Sequence, residues 1–167
     1  TEAHALADQF LAVVHENGDA LLAMGRDTFS ADGSPLFVDG LDPATGAPAT
    51  WPWPGGREMI LSNFASQQAL LRTLEGLSVA SGEPKYHDAA IEAARHMLGR
   101  FQDEGGLLHW GGHRAIDLAS QTPFGLDNLH ELKCHWPFYE LLYAADPAAT
   151  RRFVEAFWDA HILNWST

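Results

Sequence analysis

Ala3, Leu6, Phe10, Val13 and Val14 recur at the spacing of one helical face and predict a first helix over residues 3–16. Asn17-Gly18 supplies a stop signal, with Leu21, Leu22 and Met24 able to extend the helical region a little further. From Asp27 to Gly56 the pattern breaks, because closely spaced prolines and glycines exclude any long helix. Leu36-Phe37-Val38 suits one short strand. Trp51-Pro52-Trp53-Pro54 argues that this Pro/Gly/Trp-rich loop, residues 27–56, is ordered, since two indoles on a floppy linker would cost free energy. Helical spacing resumes over 58–80 through Ile60, Phe64, Leu70, Leu71, Leu74 and Leu77. It continues over 85–102 through Tyr86, Ala90, Ala93, Ala94, Met97, Leu98 and Phe101. Ser81-Gly82-Glu83-Pro84 separates the two, with Pro84 suited to the first turn of the second helix. Gly105-Gly106 closes this pair, and residues 107–123 predict short strands with turns at Gly111-Gly112 and near Ser120. A second helical pair follows over 129–145 and 147–163, with Asp146 as N-cap and Pro147 at the first helical position.

The fold class this predicts is mainly α: antiparallel helical hairpins with short β-hairpin excursions, the repeating unit of an (α/α) toroid or barrel. A closed toroid needs more hairpins than this chain holds. Residues 1–167 are therefore expected to form a single helical domain, the N-terminal fragment of a larger (α/α) barrel, with the remainder of its own chain as a partner.

Composition narrows the function classes. Of 167 residues, 46% are hydrophobic and 19% charged, which excludes disorder and low-complexity polymer. Apolar runs fall well short of the roughly 18 residues needed to span a bilayer, so no membrane partner is expected. No signal-peptide pattern is visible in the first residues, as would also hold for a protein that had lost one. The compartment stays open between cytoplasm and periplasm for a soluble protein. Ten Lys and Arg against 22 Asp and Glu give a net charge of -12. That balance excludes nucleic acid as a partner, because such binding depends on basic residues neutralising phosphates. The one cysteine, Cys134, excludes an internal disulfide framework or a CxxC metal site. Gly-rich phosphate loops are missing as well, so no nucleotide cofactor is expected.

Polar groups concentrate in His109-Trp110-Gly111-Gly112-His113-Arg114 and in His130-Glu131-Leu132-Lys133-Cys134-His135-Trp136-Pro137. On an uninterrupted helix Glu131 and His135 would share a face, but Pro137 disturbs the turn before it. His113 lies on a Gly-Gly turn that lets a ligand approach closely. Imidazole with carboxylate suits a divalent transition metal such as manganese, nickel or cobalt, which makes His113 and Glu131 the first metal candidates, and His130 and His135 weaker alternatives. A structural reading stays open beside this: a turn-capping His113, Glu131 paired with Lys133 or Arg114, and a core His135. Trp110, with Trp51, Trp53 and Trp136, offers faces for sugar stacking or for core packing. Asn63, Gln67 and Gln68 offer amides for hydroxyls or for contacts between helices.

These segments carry a resemblance. Ser62-Asn63-Phe64-Ala65-Ser66-Gln67-Gln68, Gly106-Leu107-Leu108-His109-Trp110-Gly111-Gly112-His113, His130-Glu131-Leu132-Lys133, Pro137-Phe138-Tyr139 and Phe157-Trp158-Asp159-Ala160-His161 resemble the N-terminal portion of family 2 polysaccharide lyases. Those are pectate lyases with an (α/α) barrel and a transition-metal site; a related toroid enzyme acting on uronates would share the pattern. The resemblance covers about residues 60–165. It implies metal ligation by His113 and Glu131, and substrate contacts from Arg114, Lys133, Trp110, Asn63 and Gln67. A third histidine ligand and a catalytic Arg base are expected beyond Thr167. The implied reaction is β-elimination on an acidic oligo- or polysaccharide. A toroid glycoside hydrolase or sugar epimerase is the alternative within enzymes, and a non-catalytic glycan- or protein-binding helical module is the alternative outside them.

Overall fold

In the computed structural model, residues 2–125 and 135–162 are described. The chain is mainly α with short antiparallel hairpins. Among the described residues the helices are α1 (Glu2–Met24), α2 (Gln68–Ser81), α3 (Pro84–Arg100), α4 (Tyr139–Ala145) and α5 (Pro147–His161). The short strands among them are β1 (Arg26–Asp27), β2 (Ser34–Phe37), β3 (Trp51–Trp53), β4 (Arg57–Met59), β5 (Leu61–Ser62), β6 (Ala115–Asp117) and β7 (Thr122–Phe124). β1–β2 and β3–β4 are two-stranded, and β5–β6–β7 form a three-stranded sheet, all antiparallel.

α3 is the centre of the scaffold. Its buried face is Tyr86, Ala89, Ala90, Ala93, Ala94, Met97 and Leu98. Four alanines on that face keep its cross-section small, so α2, α4 and β2 all pack against it. Leu71, Leu74 and Leu77 come from α2, Leu141 and Leu142 from α4, and Phe153 from α5. The helix starts follow local chemistry: Pro84 and Pro147 occupy first-turn positions, and Asp146 accepts the Ala149 N–H at 2.9 Å.

Three boundaries depart from the periodicity. Asn17-Gly18 does not end α1, which runs on to Met24 because Gly18 is where that helix packs closely on its neighbours. A Cβ at Gly18 would come within 2.6 Å of Leu77 Cδ2 and 3.0 Å of Tyr86 Cε1. Tyr86 then donates to Asp19 at 2.7 Å, one residue on. The expected helix over 58–80 begins only at Gln68. Residues 57–62 are extended, with Met59 and Leu61 pointing into a small cluster with Ala115. Asn63 then folds the chain into a turn, accepting the Ser66 N–H on its side chain at 3.0 Å. The expected helix over 129–145 begins at Tyr139. Residues 129–134 lie outside the described residues, and 135–138 are non-helical because Pro137 removes an N–H and disfavours helix at the residue before it. His135 is therefore not on a helix, and Glu131, its expected partner on a helical face, lies outside the described residues.

Gly18→Val is expected to lower the unfolding free energy by roughly 1–3 kcal/mol through overpacking, read as a lower urea midpoint. Gly18→Ala should cost less, because helix propensity returns about 1 kcal/mol.

Candidate active site

His113 is the third residue of a tight turn, Gly111–Arg114, closed by the Arg114 N–H donating to the Gly111 carbonyl at 3.3 Å. Its side chain is exposed and stands immediately before β6. What holds this turn is Asn63. Its Nδ2 donates to the Gly111 carbonyl at 3.0 Å and to the Gly112 carbonyl at 3.2 Å, while its Oδ1 accepts from Ser66. Asn63 is itself buried. From the other side Gly125, with φ of +127°, lies so close that a Cβ would strike the His113 carbonyl oxygen and sit 3.2 Å from Arg114 Cα.

Behind Asn63 stands Asp39. Its Oδ1 accepts the Asn63 N–H at 2.5 Å and Gln67 Nε2 at 3.0 Å; Gln67 Nε2 also donates to the Phe37 carbonyl at 2.9 Å. Packing around the carboxyl strips water from it and pushes its pKa up to about 6, against the two donors, which pull it down. The residue is nevertheless exposed by surface area, so solvent screening offsets part of that rise.

A second clamp holds the chain that leaves the 126–134 segment. Arg72 Nη2 donates to the Trp136 and Pro137 carbonyls at 3.3 and 3.2 Å, and its guanidinium lies 4.8 Å from the centre of the Phe138 ring. Gln68 Oε1 accepts the Phe138 N–H at 2.8 Å. Both side chains come from the start of α2.

The candidates therefore separate. His113 and Arg114 lie together on the turn, His113 exposed and Arg114 half-buried. His135 is half-buried outside any helix. Glu131, Lys133 and His130 lie outside the described residues. Trp110 has no surface to offer a substrate: it is fully buried, edge-on to Phe64 at 6.1 Å and 6.0 Å from Phe153. Asn63 and Gln67 are not helical side chains facing a cavity. Both N–H donors of each amide are bound within the protein: those of Asn63 hold two backbone carbonyls, and those of Gln67 hold the Phe37 carbonyl and the Asp39 carboxylate. Asp39 and Arg72 were not visible as site residues, and no spacing rule would have found them, because each acts on chain about 25 or more residues away.

Among the described residues no three His, Cys, Asp or Glu side chains come together as a metal-binding group. What the described part supplies is one solvent-facing imidazole on a turn fixed from both sides, a donor of the right chemistry for a borderline divalent ion. Arg114 beside it adds a guanidinium suited to a carboxylate.

The profile of the periplasmic pectate lyase family matches residues 34–167, which include every element from β2 onward. The chain belongs to this family. It is also 40% identical, over 163 residues, to a pectate disaccharide-lyase from Dickeya dadantii (strain 3937). That alignment covers 95% of this chain but 30% of the relative, so the chain spans under a third of the relative's length.

Asn63→Ala leaves two carbonyls of the His113 turn without their donor and should destabilise the protein by about 1–3 kcal/mol, read from denaturant unfolding. Asp39 yields a second expectation. Its folded pKa is raised above 3.8, so between there and about 6 the folded state holds the proton better than the unfolded chain. Its contribution to stability therefore falls as pH rises through that window. Asp39→Asn keeps an acceptor oxygen for both donors but cannot titrate, so thermal midpoints across that range should decline less than in the parent; an equal decline refutes the assignment.

Proposed function

We propose that this chain carries part of the active site of a metal-dependent pectate lyase that cleaves a uronic-acid glycan by β-elimination. The observation that carries this reading is the exposed His113 on a turn pinned by buried Asn63, in a chain of the periplasmic pectate lyase family. The chemistry of the relative, a pectate disaccharide-lyase, is extended here to a chain that spans 30% of it.

In this reading His113 and Glu131 hold a divalent transition metal, manganese, nickel or cobalt. Such an ion would neutralise the substrate carboxylate and the charge that develops when the C5 proton leaves. His113 needs its imidazole neutral and its ring presented outward, and the Asn63–Gly111–Gly112 bonds fix the backbone that presents it. Arg114 meets a uronate carboxylate at the mouth of the site, and Lys133 is assigned the same role. The elimination then breaks the C4–O bond and leaves an unsaturated sugar end. The base expected past Thr167 is not among these residues.

The chain is further read as the N-terminal part of a larger (α/α) barrel. Leu6, Phe10 and Val13 leave an apolar face of α1 exposed, and an open groove of about 680 Å³ along α4 and α5 is lined by Tyr139, Tyr143, Val154 and Trp158. Both faces suit further helical hairpins. No helix among the described residues is long and apolar enough to cross a membrane. The family's description as periplasmic supports the periplasm as the working compartment.

The test uses the full-length polypeptide. With polygalacturonate it should form an ultraviolet-absorbing unsaturated product, lose that activity with a chelator and recover it with added manganese, nickel or cobalt. His113→Ala should lower kcat/KM on the order of 10²–10³-fold. Chelator-insensitive cleavage, or hydrolysis without the absorbing product, would exclude the lyase reading.

A further inference from the structure

We propose that the β3–β4 hairpin presents Trp51 and Trp53 as a stacking subsite for one or more sugar units of an acidic oligosaccharide, continuous with the His113 turn. For its ligand class this rests on the lyase reading above; for its geometry it does not.

Trp51 and Trp53 are two residues apart on β3 and so project from the same side of the strand. Each is about half exposed, at 53% and 48%. Their cross-strand partners are Met59 and Arg57, which project to that side too. This side of the hairpin lies over the β5–β6–β7 sheet. Met59 is buried in a cluster with Leu61 and Ala115, against which Phe124 packs. Arg57 is ion-paired with buried Asp117 of β6. Trp53 meets Phe124 edge to face, with ring centres 4.7 Å apart. The indoles are thus seated on a fixed base, with Pro52 and Pro54 restricting the strand that carries them. Ordering them on binding would cost little.

The same contacts lead to the site. Phe124, on which Trp53 rests, pairs with Ala115, two residues after His113 and so within about 7 Å of it along the chain. The Phe124 carbonyl accepts His109 Nε2 at 2.8 Å, and the next residue, Gly125, lies on the backbone of His113 and Arg114. Trp53 is thus an exposed surface one side chain removed, through Phe124, from the strand that follows the His113 turn.

The chemistry favours an acidic sugar chain over an apolar partner. An indole offers a flat, electron-rich face, which matches the C–H face of a pyranose ring. Arg57, half exposed on the same side, keeps N–H donors beyond the one bound to Asp117, and Arg114 stands at the far end. In a chain of net charge -12, these two guanidiniums form a local cationic border that a screened distant field does not cancel. The exposed α1 face differs, being largely aliphatic, and the aromatic groove along α4 and α5 lies away from the β5–β6–β7 sheet that carries the His113 turn.

The experiment is calorimetric titration of defined oligogalacturonates, a trimer and a longer oligomer, into the full-length polypeptide and its Trp51→Ala/Trp53→Ala variant, with thermal unfolding and metal titration in parallel. Affinity for the longer oligomer should fall about tenfold or more, with a smaller loss for the trimer. Metal affinity should stay unchanged, the unfolding midpoint should fall only modestly through loss of the Trp53–Phe124 contact, and the Trp51→Phe/Trp53→Phe variant should recover part of both losses. Unchanged oligomer affinity overturns the subsite. No oligomer binding by the parent also overturns it. Tryptophan-dependent binding without chelator-sensitive elimination would remove the lyase reading and keep the subsite.

Discussion

The amide of Asn63 is the interaction on which this architecture turns. Its two donors hold the Gly111 and Gly112 carbonyls while its oxygen closes the 63–66 turn that starts α2. One buried side chain thus joins the helical scaffold to the loop that carries His113. The buried Gly111 carbonyl left unpaired would cost about 1–3 kcal/mol, so the turn cannot shift independently of α2. Asp39 extends the link by holding the Asn63 N–H and Gln67 together. The loop before β6 owes its shape to residues from three separate parts of the chain.

Beneath this, the helices act as a platform. α3 is narrow because its buried face is rich in alanine, which brings α2 and α4 close on either side. Arg72 and Gln68, at the start of α2, then reach the backbone at 136–138. The two ends of the segment that bears Glu131 are therefore both anchored: Gly125 against the His113 turn, and residues 136–138 against α2. An active site assembled from loops gains its precision from such fixed anchors rather than from the loops themselves.

The charge balance also makes sense at this scale. If a protein of net charge -12 takes a polyanion, as proposed above, it must concentrate its cationic groups locally. Arg57 and Arg114 border the three-stranded sheet, on opposite ends of β6. Screening over about 8 Å at physiological salt lets such a border act independently of the distant acidic surface.

The sequence by itself determined the helical hairpins, their Pro84 and Asp146-Pro147 starts, and the presence of a glycine turn at His113, because periodicity, capping and glycine act within a few residues. It also carried the family, since those local signals recur at the quoted segments. It misplaced the ends of α1, α2 and α4: Gly18 is a close-packing position, 57–62 pairs with strands distant in sequence, and Pro137 delays the last hairpin. Only the tertiary structure decided that Trp110 belongs to the core, that the amides of Asn63 and Gln67 bind groups within the protein, and that Asp39 and Arg72 support the site. Burial and hydrogen-bond partners are properties of side chains brought together from about 25 to 65 residues apart, and no local pattern encodes which of them will meet.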